Sequence, residues 1–182
     1  MENTFTIIGI DPGNNLGVSI FTLDHDLNIL SIQPITYRLD TYFFTISTNE
    51  MVNKLYYIKS IITNLIYTYE PLVISIESAF MNSRFPKAVM TLSQYVGTIE
   101  LTIKELNNFI KIFKYAPKYV KSIICKGDAN KDDMLNNIVK IEEIAKVLDT
   151  TSTTEHSIDA TAICYTGLLH IRQYPYLLCS LV

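Results

Sequence analysis

The stretch Ile7-Ile8-Gly9-Ile10-Asp11-Pro12-Gly13 is an apolar run that stops at a carboxylate. Such a run is typical of a buried β-strand. Pro12 lacks the N–H donor that a strand needs, and Gly13 opens backbone angles that other residues avoid, so the strand ends here. The pattern predicts that Asp11 stands at the end of a rigid strand and faces the space beyond the sheet edge. Alone, it is equally consistent with a simple turn residue.

Length and composition indicate a folded protein of one domain, residues 1–182. Hydrophobic residues make up 48% of the chain and charged residues 18%, which argues against disorder. We find neither a signal-peptide pattern nor an apolar run near the roughly 20 residues that a membrane span requires. Three cysteines lack metal-ligand spacing and are interpreted as thiols in a reducing cytoplasm: Cys125, Cys164 and Cys179.

The net charge of −3 conceals a basic segment. Between Arg84 and Lys131 there are nine basic and three acidic residues, a local net charge of +6. A surface of this kind can attract a polyanion such as DNA even when the whole protein is slightly acidic. A solvated charged face is the alternative interpretation.

Hydrophobic periodicity predicts an α/β fold built on a mixed five-stranded sheet, with an antiparallel meander followed by parallel strands and with flanking helices. The helix predicted from Pro86 to about Asn107 is either a dimer contact or core packing. Ser152 and Glu155 fit a capping box that opens the last helix. The predicted strands are residues 5–10, 17–23, 28–36, 72–76 and 109–115, and the other predicted helices are 49–69, 116–124, 131–148 and a last one from about 155.

Four acidic or imidazole side chains are expected at one edge of this sheet. Asp11 ends the first strand and Glu77 ends the fourth, while His156 and Asp159 are three residues apart on the last helix and share a face. Gathered carboxylates repel one another, and hard divalent cations relieve that repulsion. Two such ions about 4 Å apart can support phosphodiester hydrolysis.

Four segments in this order resemble the successive motifs of RuvC-type Holliday junction resolvases, across about residues 6–171. They are Ile8-Gly9-Ile10-Asp11-Pro12-Gly13, Ile74-Ser75-Ile76-Glu77-Ser78-Ala79-Phe80, Tyr115-Ala116-Pro117-Lys118-Tyr119-Val120-Lys121 and His156-Ser157-Ile158-Asp159-Ala160-Thr161-Ala162. The resemblance implies an RNase H-like fold, a homodimer without a small-molecule cofactor, and Mg²⁺-dependent paired nicking of four-way and other branched DNA. Mn²⁺ should substitute for the two Mg²⁺ ions. Short length and A·T-biased composition favour a phage member, acting in the host bacterial cytoplasm.

The resemblance also implies a role for individual residues. Asp11, Glu77, His156 and Asp159 would form the catalytic and metal-binding set, although the family often has Asp where His156 stands. Its DNA-binding residues would be Phe80, which helps to unstack bases, Lys121, and Lys131 or, because the intervening loop is one residue shorter here, Lys126. Arg84 and Lys118 belong to the basic segment and are predicted to bind DNA with them. Gly17 follows the Asp-Pro-Gly turn one residue early.

Three alternatives use the same residues. Another RNase H-like nuclease could cut RNA or flap structures with the same metals. A sugar-kinase or actin-like nucleotide binder has a similar Asp-Pro-Gly turn but needs two lobes, for which 182 residues are too few. A junction-binding scaffold without activity is disfavoured because all four ligand positions are chemically competent.

Overall fold

The sheet has five strands in the order β3-β2-β1-β4-β5. The computed structural model describes residues 4–41, 46–79, 86–125 and 131–179. Strands β1 to β3 are antiparallel, and β4 and β5 join them in parallel to β1. The predicted mixed sheet is confirmed. The strands are β1 (Phe5–Asp11), β2 (Asn15–Leu23), β3 (Ile29–Arg38), β4 (Val73–Glu77) and β5 (Lys111–Tyr115).

Seven α-helices within the described residues cover the two faces of the sheet. They are α1 (Glu50–Tyr69), α2 (Pro86–Leu106), α3 (Pro117–Cys125), α4 (Lys131–Ile138), α5 (Glu142–Ala145), α6 (Glu155–Gln173) and α7 (Tyr176–Cys179). Helices α1 and α2 enclose one hydrophobic core, whereas α3 to α6 enclose the other. Within the described part of the chain, no helix is long and apolar enough to cross a membrane.

Successive side chains of β1 point to opposite faces of the sheet, so this strand contributes to both cores. Ile7 packs into the core under α6, while Ile8 and Ile10 pack into the core under α1 and α2. In the parallel pair of β1 and β4, Ile10 is opposite Ile76. The next residues, Asp11 and Glu77, are the last of their strands and therefore lie side by side at one edge of the sheet.

Two local predictions were wrong. The single helix expected over residues 131–148 is two short helices, α4 and α5, separated by a turn at Val139–Ile141. The capping box of α6 is formed by Thr154 and Ser157 rather than by Ser152 and Glu155. Because the serine hydroxyl at Ser157 reaches the backbone N–H of Thr154 at 2.8 Å, it replaces the glutamate that the sequence pattern requires.

Two glycines bring α6 unusually close to the sheet. A Cβ at Gly9 would overlap the backbone carbonyl of Ala160, and one at Gly17 would overlap the carbonyl of His156. Only glycine leaves room for this approach. The small residues of α6 complete the fit, since Ala160 and Thr161 are fully buried. This packing holds the N-terminal turns of α6 beside the end of β1.

Candidate active site

Asp11 and His156 are in direct contact at the edge of the sheet. The Nδ1 atom of His156 lies 3.2 Å from Oδ2 of Asp11. On its other side, Nε2 of His156 lies 3.3 Å from the amide nitrogen of Asn15. When that amide donates to Nε2, Nδ1 carries the proton and donates to Asp11. The imidazole ring is thus held between β1 and the first residue of β2.

Glu77 and Asp159 complete the acidic group. They line a small cavity of about 170 Å³ together with Lys121 and the apolar residues Pro117, Val120 and Met134. Burial, followed by the nearby charges of Asp11 and Asp159, raises the pKa of Glu77 to about 8. Burial, followed by Asp11 and Glu155, raises the pKa of Asp159 to about 6. Lys121 opposes both shifts because its positive charge favours the ionised carboxylates.

The pKa of His156 is raised chiefly by its hydrogen bond to Asp11, and partial burial opposes this shift. His156 is one-third exposed and Asp11 about one-seventh exposed. The four predicted site residues are therefore brought to one part-buried edge, although they come from β1, β4 and α6.

The four side chains at this edge have the chemistry to bind a divalent cation. Several carboxylates share a poorly solvated edge and raise one another's pKa, which is the electrostatic problem that a bound cation removes. Within the described ranges, however, no three His, Cys, Asp or Glu side chains are already arranged around one ion position. Binding would require these side chains to move together, and His156 would have to exchange a hydrogen bond for a metal bond.

The predicted DNA-binding residues are only partly described. Lys118 is exposed on α3 and Lys121 lines the cavity beside Glu77 and Asp159. Lys131 is the first residue of α4. Phe80, Arg84 and Lys126 lie outside the described residues.

Sequence reasoning missed Asn15, which contacts His156 from the start of β2. Its only signal was a polar residue where a short turn re-enters the sheet. It also missed the apolar lining of the site by Pro117, Val120 and Met134. On the sequence these positions look like ordinary core residues, because nothing local indicates that one side of each faces a cavity.

Comparison with solved structures identifies the fold. The solved structure of Thermus thermophilus RuvC covers 93% of this chain and 96% of its own, with a TM-score of 0.69 and 17% identity. The yeast mitochondrial Holliday junction resolvase Ydc2 covers 97% of this chain and 84% of its own, with a TM-score of 0.63 and 15% identity. Both likenesses establish an RNase H-like fold, which the motif resemblance implied.

Sequence comparison establishes the family. The profile of the family described as crossover junction endodeoxyribonuclease RuvC matches residues 7–166. The RuvC of Orientia tsutsugamushi (strain Boryong) is 29% identical over 162 residues, which is 88% of this chain and 93% of the relative. The RuvC of Caldanaerobacter subterraneus subsp. tengcongensis is 28% identical over 167 residues, 87% and 90%. The chain belongs to the RuvC family of crossover junction endodeoxyribonucleases, and the predicted enzyme class is confirmed.

Proposed function

We propose that residues 1–182 act as one nuclease domain that resolves Holliday junctions, and cuts other branched DNA, by paired hydrolysis of phosphodiester bonds. The observation that carries the proposal is the meeting of Asp11, Glu77, His156 and Asp159 at one sheet edge in a member of this family. A related structure, 16% identical with a TM-score of 0.68, is Thermus thermophilus RuvC in complex with a Holliday junction substrate.

RuvC-family enzymes are metal-dependent nucleases. We propose two Mg²⁺ ions per site, with Mn²⁺ able to substitute, held by Asp11, Glu77, Asp159 and His156. When bound, such ions lower the pKa of a ligated water and stabilise charge on the phosphate and the leaving oxygen. No small-molecule cofactor is required.

The chain's own residues hold and orient the reacting groups. Asp11 is fixed by the end of β1 and by the His156 hydrogen bond, which together hold its carboxylate at the site. Glu77 is fixed beside it because β4 pairs with β1 up to Ile76. A water attacks the phosphorus in line, and the 3′ oxygen leaves to give a 5′ phosphate.

Helix α3 would bind the DNA backbone. Lys121 reaches the acidic group from one side of the cavity, and exposed Lys118 lies one turn away on the same helix. Lys131, together with Phe80, Arg84 and Lys126, is proposed to extend the contact. Lysine pairs with phosphate as a point charge, so the lysine contacts should be independent of DNA sequence.

We also propose a homodimer formed through α2. One face of this helix exposes Met90 (67%) and Leu101 (61%). Gly97 lies between them on that face, where an added Cβ would meet no described atom within 4 Å. Glycine inside a helix costs about 1 kcal/mol relative to alanine, so a closely crossing second helix would explain its presence. Two active sites about a two-fold axis would suit a two-fold junction.

Origin and compartment are proposals of the same kind. The Ile-, Asn- and Tyr-rich composition is consistent with a bacteriophage source. The unbridged thiols of Cys125 and Cys164 suit a reducing host cytoplasm.

One gel tests the activity. The purified chain is incubated with Mg²⁺ and four labelled substrates: a four-way junction, a replication fork, a flap and an RNA–DNA hybrid. We expect symmetric paired nicks in the junction, whose 5′-phosphate ends are sealed by DNA ligase. Faster cleavage of the hybrid or flap would instead assign the chain to another RNase H-like activity.

Sedimentation tests the dimer. Leu101→Glu should convert it to a monomer, whereas Leu30→Glu, at a 46%-exposed leucine of the edge strand β3, should leave the dimer intact. Equal sedimentation of both variants with the wild type would move the interface away from α2.

A further inference from the structure

A second cavity, larger than the one between Glu77 and Lys121, lies beside the acidic group and is not accounted for by metal binding or by contacts with phosphate. It has a volume of about 500 Å³ and lies between α4 and the first turns of α6. Its lining includes Met134, Leu135, Asn136, Glu155, Ile158 and Asp159. Cavities of this size typically hold a small organic group rather than a single ion.

This cavity adjoins the candidate active site. Met134 and Asp159 line both the larger cavity and the 170 Å³ cavity that contains Glu77 and Lys121. A phosphate bound between Glu77 and Lys121 would therefore have the larger cavity directly beside it. The nucleobase on the neighbouring sugar is the part of a DNA substrate that could enter this cavity.

The lining has the chemistry of a nucleobase site. Met134 and Ile158 are each 3% exposed and provide an apolar floor for an aromatic face, and Leu135, 40% exposed, stands at the rim. Asn136 and Glu155 provide amide and carboxylate groups that can pair with the edge of a base. An apolar floor combined with polar groups for the base edge is how enzymes hold a base that has left the stack.

We propose that this cavity receives one unstacked nucleobase, carried by a nucleotide that flanks the scissile phosphate. The proposal deepens the proposed junction cleavage and rests on it. Carboxylates accept hydrogen bonds from the exocyclic amino group of cytosine, and amides pair with adenine. The occupant is therefore a base that presents an amino group, cytosine, adenine or guanine, rather than thymine. Entry of that base would fix the strand in register with the acidic group.

The first test needs no variant. Four-way junctions are prepared with a sequence at which the wild type cuts, and a single abasic site replaces either nucleotide that flanks the cut. We expect one of the two abasic junctions to be cleaved roughly tenfold to a hundredfold more slowly, with junction affinity unchanged. Replacing that base with an analogue that lacks the amino group should give an intermediate rate.

The second test fills the cavity. Leu135→Trp should slow cleavage of the intact junction, because the larger side chain fills the cavity and no base can enter. The variant should therefore cut the intact and the abasic junctions at equal rates. Leu30→Trp, at a leucine of similar exposure on β3, should behave as the wild type and remain sensitive to the abasic site. Thermal melting of both variants verifies that they fold.

The two proposals fail in different ways. If the wild type cuts no branched DNA, the proposed function falls and the base site falls with it. If intact and abasic junctions are cut at equal rates, or if Leu135→Trp matches Leu30→Trp, the base site is overturned while junction cleavage stands.

Discussion

The imidazole of His156 and the carboxylate of Asp11 are 145 positions apart in sequence and 3.2 Å apart in space. The contact joins the last helix to the first strand, and it forms because Gly17 allows the backbone of His156 to lie against β2. It also means that His156 orients Asp11 when no metal is bound. A ligand role for His156 would begin by breaking this hydrogen bond.

Asp11→Asn should abolish cleavage while retaining junction binding. The amide keeps the shape of the side chain and the contact with His156 but loses the charge on which cation binding depends. We expect cleavage to fall by at least about a thousandfold, in line with loss of a central catalytic group. Gel-shift affinity for the junction, measured in Ca²⁺, should change little. The control variant is Asp149→Asn, at a residue in the exposed loop before α6. Unimpaired cleavage in Asp11→Asn would falsify the assignment.

His156→Asp should remain active with an altered pH profile. Histidine binds a metal only when neutral, and the Asp11 hydrogen bond raises its pKa above the ordinary value of about 6.5. Wild-type cleavage should therefore decline as pH drops through that raised pKa. An aspartate at this position should remove that limb of the profile. If kcat/KM of the variant follows the same pH curve as the wild type, His156 has no part in the site.

The order of strands and helices could be predicted because it depends on local patterns. The apolar runs that end at Asp11 and Glu77 mark two strand ends, and the paired strands bring them together. Asn15 and the cavity beside Asp159 could not be predicted, because they arise from how β2, α4 and α6 pack. The same limit explains the missed break between α4 and α5, where Lys140 and Ile141 continue a helical pattern through a turn.

Gly17→Ala should weaken both the fold and the site. The new Cβ would overlap the carbonyl of His156, and α6 would have to move away from β2. We expect destabilisation of about 1–3 kcal/mol, the usual cost of overpacking, and a larger relative loss of cleavage because His156 shifts from Asp11. Ser31→Ala, at an exposed residue of the edge strand β3, is the control for stability. Equal melting temperatures for the two variants would contradict the close approach of α6.

Lys121→Ala should reduce affinity for every junction sequence to a similar degree. Lys121 lies beside Glu77 and Asp159, where a scissile phosphate would bind. Loss of one phosphate contact should lower the slope of log affinity against log salt by about 1. Lys146→Ala, at the exposed C-cap of α5 in an ion pair with Glu142, provides the control. An unchanged salt slope in Lys121→Ala would exclude a phosphate contact at this residue.

Glu77→Gln should stabilise the metal-free protein, increasingly so as pH rises. The folded state keeps the Glu77 proton up to a pKa of about 8, whereas the unfolded chain loses it near the ordinary value of 4.5. Between these values the folded state binds more protons, so the free energy of unfolding falls as pH increases. Glutamine cannot ionise and removes this loss. Because Glu77 is part-exposed, water screens some of this effect. We expect Glu77→Gln to raise the free energy of unfolding by on the order of 2 kcal/mol at pH 8 and by little at pH 4.5.

The measurement is chemical denaturation in EDTA at several pH values between 4.5 and 8. Glu142→Gln is the control with the opposite sign, because the Lys146 hydrogen bond lowers the pKa of Glu142. Added Mg²⁺ should then stabilise the wild type most at pH 8, where Glu77 must ionise to bind it, and should stabilise Glu77→Gln much less. A stability difference that stays constant across this pH range would mean that folding does not raise the pKa of Glu77, and the burial and charge repulsion that a cation would offset would then be absent.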